Sequence, residues 1–138
     1  MISPPNDPAQ FGQIAVGDWP VLVAPEATAA IVARAKGIHV QTDRGAATWF
    51  TSLSILFSDT RFGGSTIETS GMRINDGEWA ITGGTGQFAT ARGTIKFKEV
   101  KAVPQQSYKQ LDIHAYYIPS DVNTTGSTIK YYTELSSA

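Results

Sequence analysis

The chain of 138 residues has no cysteine. That removes disulfides, thiolate nucleophiles and zinc–sulfur sites together, and it suits a reducing compartment. Histidine is nearly absent too: His39 and His114 are the only two, too few for a His-rich metal site, and no other metal constellation emerges. Neither sign of charge is in excess. Eleven basic against twelve acidic residues leave a net −1, without the basic footprint of a nucleic-acid binder. No apolar run approaches the roughly 18–20 residues of a membrane span. The opening stretch Met1-Ile2-Ser3-Pro4-Pro5-Asn6 lacks a basic n-region and an apolar h-region, so it predicts a cytoplasmic protein, or an extracellular one if the chain begins at a mature end.

What is present is the composition of one folded domain over 1–138, with 41% hydrophobic and 17% charged residues, long enough for a real core. Short alternating segments bounded by Gly, Pro, Asn or Asp predict an all-β domain. Thr48–Ser58 is the clearest strand, with Trp49, Thr51, Leu53, Ile55 and Phe57 on one face. Thr90–Val100 sets Ala91, Gly93, Ile95 and Phe97 against Arg92, Thr94, Lys96 and Lys98. Tyr108–Ile118 sets Leu111, Ile113, Ala115 and Tyr117 against Asp112, His114 and Tyr116. Phe11–Trp19 alternates with Ile14, Val16 and Asp18 on one side. Ser65–Ile74 reads as a strand, Asn75-Asp76-Gly77 as a turn into Glu78–Thr82, and Lys101–Ser107 as a loop with Pro104. Thr128–Leu135 reads as a last strand. About eight extended segments predict a barrel or sandwich, and a closed barrel removes the edge strands.

Pro25–Lys36 is ambiguous. Its Ala-rich run starts with Pro-Glu and is followed by Gly37, which suits a helix, yet Ile31, Ala33 and Ala35 also alternate.

Several residues invite a functional reading. Gly84, Gly86 and Ala89 fit a dinucleotide fingerprint, but that chemistry needs a helix N-terminus aimed at the pyrophosphate. The residues that follow, "TARGTIKFKEV", alternate as a strand, and no Gly-Lys-Ser/Thr marks a P-loop. The glycines are therefore expected in a hairpin where the backbone needs them. Asp18 sits beside Trp19 at the end of a row that would face inward with Ile14 and Val16. A buried carboxylate needs a partner or a raised pKa, and such shifts gather at functional sites. Otherwise it is a solvated turn residue. Arg92 shares a face with Lys96 and Lys98, and Arg34 with Lys36; both read first as basic solvent faces. The stripe Asp112, His114, Tyr116 could line a wet cavity or a subunit surface. Asp59-Thr60-Arg61 reads as a turn with a surface ion pair. No G-x-S-x-G elbow is present, and Asn123-Thr124-Thr125 is a glycosylation sequon only in a secreted chain.

At the level of longer blocks, "GEWAITGGTGQFATARGTI" resembles the signature of the plant dirigent family, through Gly83-Gly84-Thr85-Gly86-Gln87-Phe88 and Ala91-Arg92-Gly93. "FGQIAVGDWPV", "IVARAKGIHVQ" and "FSDTRFGGSTIETSG" are similar to further family blocks in the family's order, over roughly Phe11 to Tyr117. The wording is nearest to the dirigent domains that precede a jacalin-like lectin domain in grasses. The resemblance implies an eight-stranded antiparallel barrel of the allene-oxide-cyclase type, usually a homotrimer, with strand over 31–41 and at most a helical turn near Pro25–Ala29. It implies a plant-defence protein that binds phenolic radicals or quinone methides and directs their stereoselective coupling or cyclisation. It also implies no cofactor, with the oxidation done by a separate oxidase, a laccase or peroxidase. Asp18 and Arg92 carry over as catalytic residues; Trp19, Arg34, His114 and Tyr116 are expected to bind the substrate.

Three departures stand out. Phe88 is followed by Ala89 where lignan-forming members have arginine, the family's opening strand is missing before "SPPNDPAQFG", and "STIKYYTEL" follows the last family block. We expect Thr128–Leu135 to fill the vacant barrel slot. The rival reading is a non-catalytic binding or scaffolding module; a fatty-acid cyclase of the allene-oxide type is a weaker third.

Overall fold

A strand that alternates in sequence must put one row of side chains on each face of its sheet. In the protein, a computed structural model describing residues 10–46, 48–73, 76–102, 106–118 and 127–134, the odd-numbered row faces inward on strand after strand. Val21, Ala33, Ala35, Leu53, Ile55, Phe57, Ile67, Trp79, Ile81, Ile95, Phe97, Leu111, Ile113 and Ala115 are all buried in one core cluster. The strands are β1 (Ile14–Leu22), β2 (Ile31–Gln41), β3 (Trp49–Phe57), β4 (Thr66–Arg73), β5 (Gly77–Thr85), β6 (Arg92–Ala102), β7 (Gln106–Tyr116) and β8 (Ser127–Glu134). Each pairs antiparallel with the next, and β8 pairs back onto β1 to close an eight-stranded barrel. A barrel of this size has an interior just wide enough for side chains to fill.

The ambiguous segment resolves as strand from Ile31 on, and β2 lies between β1 and β3 over its length. Only a turn precedes it, with the Ala29 N–H donating to the Glu26 carbonyl at 3.0 Å. The last strand takes the expected slot between β7 and β1, through Ile113↔Ile129 on one side and Val21↔Thr133 on the other.

Three expectations need correction. The row Ile14, Val16, Asp18 faces outward, with Val16 82% exposed. The inward row of β1 is Gly17, Trp19, Val21, because these sit opposite the small inward residues Gly37, Ala35 and Ala33 of β2. Gly83 and Gly84 are not in a hairpin tip. They continue β5 opposite Glu68 and Ile67, past a bulge between Glu68 and Thr69. At Gly84 a Cβ would run into the Thr66 carbonyl oxygen and the Phe88 backbone. The connection to β6 is a 3₁₀ turn at Gly86–Phe88, which drops the Phe88 ring into the core. Finally, β6 extends to Ala102 and β7 starts at Gln106, so the loop around Pro104 is shorter than 101–107. Ile74, Asn75, Asn123 to Thr125 and Leu135 lie outside the described residues.

The connections define two ends. One carries the β1–β2, β3–β4 and β5–β6 connections; the other carries β2–β3, β4–β5 and β6–β7. Phe57, Phe62, Phe88 and Tyr117 fill the first. The second, called the hairpin end below, is different.

Candidate functional site at the hairpin end

Polar residues enter the inward phase near the hairpin end. His39 and Gln41 continue the Ala33, Ala35 row of β2. Thr51 precedes Leu53 on β3, Thr69 follows Ile67 on β4, and Lys109 precedes Leu111 on β7. All are buried, His39 at 3% exposure and Thr69 at 2%. Gln41 spends its amide locally, donating from Nε2 to the Ala46 carbonyl at 2.8 Å and accepting the Asp43 N–H at 2.6 Å. His39 Nδ1 and Thr51 Oγ1 are 2.6 Å apart; which of them donates depends on the imidazole tautomer. The other ring nitrogen, His39 Nε2, has no hydrogen-bond partner among the described residues, and neither have Thr69 Oγ1, Trp79 Nε1 and Gln13 Oε1.

Aromatic rings wall this polar group. Trp79 stacks on Phe97 with centroids 4.3 Å apart, and Trp19 lies 4.9 Å from the His39 ring. Both indoles are seated on glycine. A Cβ at Gly17 would meet the Trp19 ring at 2.5 Å, and one at Gly71 would meet Trp79 Cδ1 at 3.1 Å. The Lys109 ammonium lies 4.7 Å from the Phe97 centroid and 5.7 Å from that of Trp79, in cation–π range. Since Gly71 pairs with Thr51 and Thr51 with His39, the groups form one arc: His39, Thr51, Gly71, Trp79, Phe97, Lys109.

Burial, with the charges of Arg73 and Lys109, pushes the His39 imidazole down to about 4. Burial and Arg73 likewise push the Lys109 amine down to about 8, with Glu99 and Asp76 pulling the other way. At neutral pH the imidazole is therefore uncharged and the amine charged. An unpaired buried polar group costs about 1–3 kcal/mol, and such groups are met by a ligand or ordered water in functional proteins. The arrangement sets indole and phenyl rings beside N–H and O–H donors, a combination that suits an aromatic ring bearing an oxygen.

Of the residues selected from the sequence, Trp19 belongs to this arc. Asp18 and Arg34 come together elsewhere, on the outer face: Arg34 Nε donates to Asp18 Oδ1 at 2.7 Å, and Lys36 Nζ lies 3.9 Å from Oδ2. The Arg34 hydrogen bond holds the Asp18 carboxyl below its usual range, so it is ionised and an acceptor at neutral pH. Arg92 does not join it. It is exposed at the start of β6, opposite Tyr116, itself 66% exposed. His114 stands half-buried on the outer face of β7, opposite Thr94. Asp59 accepts the Phe62 N–H at 2.8 Å, and the Arg61 guanidinium lies over the Phe62 ring. Sequence reading passed over His39, Thr69, Trp79 and Lys109. The signal that finds them is a polar or indole group in phase with a buried row. Among the described residues no group of three or more His, Asp or Glu could hold a metal ion.

Known proteins place this architecture. The chain is 30% identical over 127 residues to pterocarpan synthase 1 of Glycyrrhiza echinata, covering 85% of this chain and 68% of that one. It is 33% identical over 96 residues to dirigent protein 11 of Arabidopsis thaliana, covering 67% of this chain and 50% of the relative. The chain thus spans between half and about two thirds of these relatives' length. Solved structures of two pterocarpan synthase dirigent proteins share the fold. One has a TM-score of 0.66 at 24% identity, covering 96% of this chain and 70% of its own. The other has a TM-score of 0.63 at 26% identity, covering 89% and 70%. A model of the family described as dirigent-like protein matches residues 2–117, through the end of β7 and short of β8. On that match, this chain belongs to the dirigent family.

Proposed function

We propose that this domain binds a flat phenolic intermediate at the hairpin end of its lumen and imposes one geometry on its coupling or cyclisation. The intermediate would be a phenoxy radical or quinone methide of phenylpropanoid type, supplied by a separate oxidase such as a laccase or peroxidase. The observation that carries the reading is the set of unpaired buried groups, His39 Nε2, Thr69 Oγ1 and Trp79 Nε1, lying among the Trp19, Trp79 and Phe97 rings. Rings set the plane of a bound aromatic, and polar groups fix its rotation within that plane. Holding two reactive centres in one relative orientation can remove much of the entropic barrier to their reaction and blocks the opposite face. Family membership and the pterocarpan synthase relatives support stereochemical control as the class of activity.

The test supplies coniferyl alcohol and a one-electron oxidant, with and without the protein, and reads the product by chiral chromatography. An enantiomeric excess that grows with protein is expected. Racemic product at saturating protein, with no quenching of tryptophan fluorescence by the phenol, would remove this reading.

A second reading, a non-catalytic module that works by self-association, draws on the outer face. Ile14, Val40, Phe50 and Met72 form one cross-strand row, and Val16 and Ile38 sit beside it. We propose that this apolar face is covered by further copies in a homotrimer. Sedimentation equilibrium should give three chains per particle, and Val16→Asp should return a monomer.

A further inference from the structure

We infer that the hairpin end takes its ligand as an aromatic oxyanion, a phenolate or carboxylate on a flat ring, with the Lys109 ammonium as counter-charge. The inference rests on the reading that this end holds an aromatic ligand, and adds which chemical class it selects. Lys109 keeps the phase of Leu111, Ile113 and Ala115 and is 7% exposed, so its stem runs inside the barrel. The Phe97 and Trp79 rings cover one side of the ammonium. Among the described residues no carboxylate forms an ion pair with it, so the ammonium is open to an anionic acceptor from outside the barrel.

The surroundings favour an anion over a neutral or cationic guest. The Trp79 N–H and the Thr69 hydroxyl lack partners and can donate alongside the ammonium. Charge-assisted hydrogen bonds of this kind are about twice as strong as neutral ones. His39 is neutral at physiological pH, and Arg73 adds a second positive charge felt by both His39 and Lys109. Two carboxylates stand near the rim: Glu99, opposite Lys109 in register, and Asp76, which accepts the Glu99 N–H at 3.2 Å. Both are exposed, where water screens them more than it screens the buried amine. The flat walls select a ring-borne oxyanion rather than a compact inorganic one.

Three probes sharing one nitro-substituted ring separate the possibilities: 4-nitrophenol, 4-nitrobenzoate and the neutral 4-nitroanisole. Each is titrated at neutral pH against the full chain by tryptophan quenching, and the visible phenolate band of 4-nitrophenol is followed as well. Both anions should bind at least about tenfold tighter than the anisole, as one charge-assisted contact allows. Bound 4-nitrophenol should be more ionised than free. Lys109→Met should abolish the preference for both anions over the anisole, while Lys109→Arg should retain it. Affinity for 4-nitrobenzoate, whose own charge is constant there, should fall as pH rises through about 8. A preference shown by only one of the two anions identifies the oxygen source and still supports the inference. Anisole binding as tightly as the anions, or a Lys109→Met protein that keeps the preference, overturns it and leaves the aromatic site standing. Failure of all three probes to bind overturns both. The comparison of probes on the unmodified chain decides the matter even if the Lys109 variants fail to fold.

Discussion

Where β3 turns into β4 and β5 into β6, the Phe57, Phe62, Phe88 and Tyr117 rings meet one another with centroids 4.9–5.5 Å apart. No buried side-chain polar atom of these residues lacks a partner. At the opposite end Trp79 stacks on Phe97 and Trp19 packs on His39, and the His39 Nε2, Thr69 Oγ1 and Trp79 Nε1 atoms are unpaired among the described residues. The first end is a plug: dry, apolar, and stabilising by about 1.5–3 kcal/mol for each large side chain it buries. The second gives stability away. A chain that keeps such a cluster beside an apolar alternative of similar volume is retaining it for something other than folding.

The largest effect should come from breaking both ends at once. β8 lies beyond the family match, yet it holds β7 to β1. Among the described residues its seam with β1 is Val21↔Thr133 and Leu22↔Tyr132, and its other pairs are with β7. Removing residues 127–138 should expose the β7 edge and uncover the lumen along that side. Loss of the cooperative thermal transition by circular dichroism is expected. A truncated protein with unchanged melting would show that the barrel does not need its eighth strand.

Single substitutions separate the ends. Phe88→Ala at the plug should cost about 3–5 kcal/mol, the range for a buried phenyl whose cavity cannot collapse. Thr69→Val at the hairpin end keeps the volume and removes an orphaned hydroxyl, so it should be neutral or stabilising by up to about 1 kcal/mol. Urea unfolding of both variants measures the contrast. Equal losses would mean that Thr69 has a partner and that the two ends are built alike.

The same contrast explains how much could be read in advance. The rows of β3, β6 and β7 were legible because apolar residues dominate their inward positions, with Trp49, Leu53, Ile55 and Phe57 on β3, Ile95 and Phe97 on β6, and Leu111, Ile113 and Ala115 on β7. β1 was not, because apolar residues occupy both of its rows: Ile14 and Val16 outside, Trp19 and Val21 inside. Its parity is settled only by pairing with Ala33 and Ala35 of β2, which lie more than ten residues away. The hairpin-end cluster escaped for a related reason. Each strand contributes a single member, so no local spacing reveals it, and only barrel closure assembles the arc. The Asp18–Arg34 pair is a contact between neighbouring strands, which strand periodicity alone does not reveal. Its exposure could not be known before the faces were assigned.

Acid should report on the hairpin end alone. His39 sits at about 4 in the folded protein against 6.5 ordinarily. Above 6.5 it is neutral folded or unfolded and carries no cost. As pH falls from 6.5, the unfolded chain takes up a proton that the folded chain refuses, so stability declines until about 4, by at most about 3 kcal/mol. The shifted carboxyls Asp18 and Asp43 both lie below 3.8, so the stability they lend is lost mostly lower on the scale. His39→Gln should flatten the decline between 6.5 and 4 in melting curves taken at stepped pH. A slope unchanged in that variant would mean that the imidazole already protonates freely, and that the hairpin end is wet.

The smallest effect should come from the outer face. Asp18→Asn removes the charge that meets Arg34 and Lys36, but both partners are half-exposed, and ion pairs in that setting contribute little. Melting should be essentially unchanged. Because Asp18 points away from the lumen, tryptophan quenching by 4-nitroanisole should be unchanged as well, since Trp19 and Trp79 report from inside. The family resemblance makes the opposite forecast, that Asp18 acts on the substrate. Loss of product selectivity in Asp18→Asn, with melting and quenching intact, would place the reacting centre on the outer face beside Arg34. The hairpin end would then be a second ligand site rather than the stereochemical one. Retained selectivity would leave the hairpin end as the place where, among the described residues, rings and unpaired donors come together.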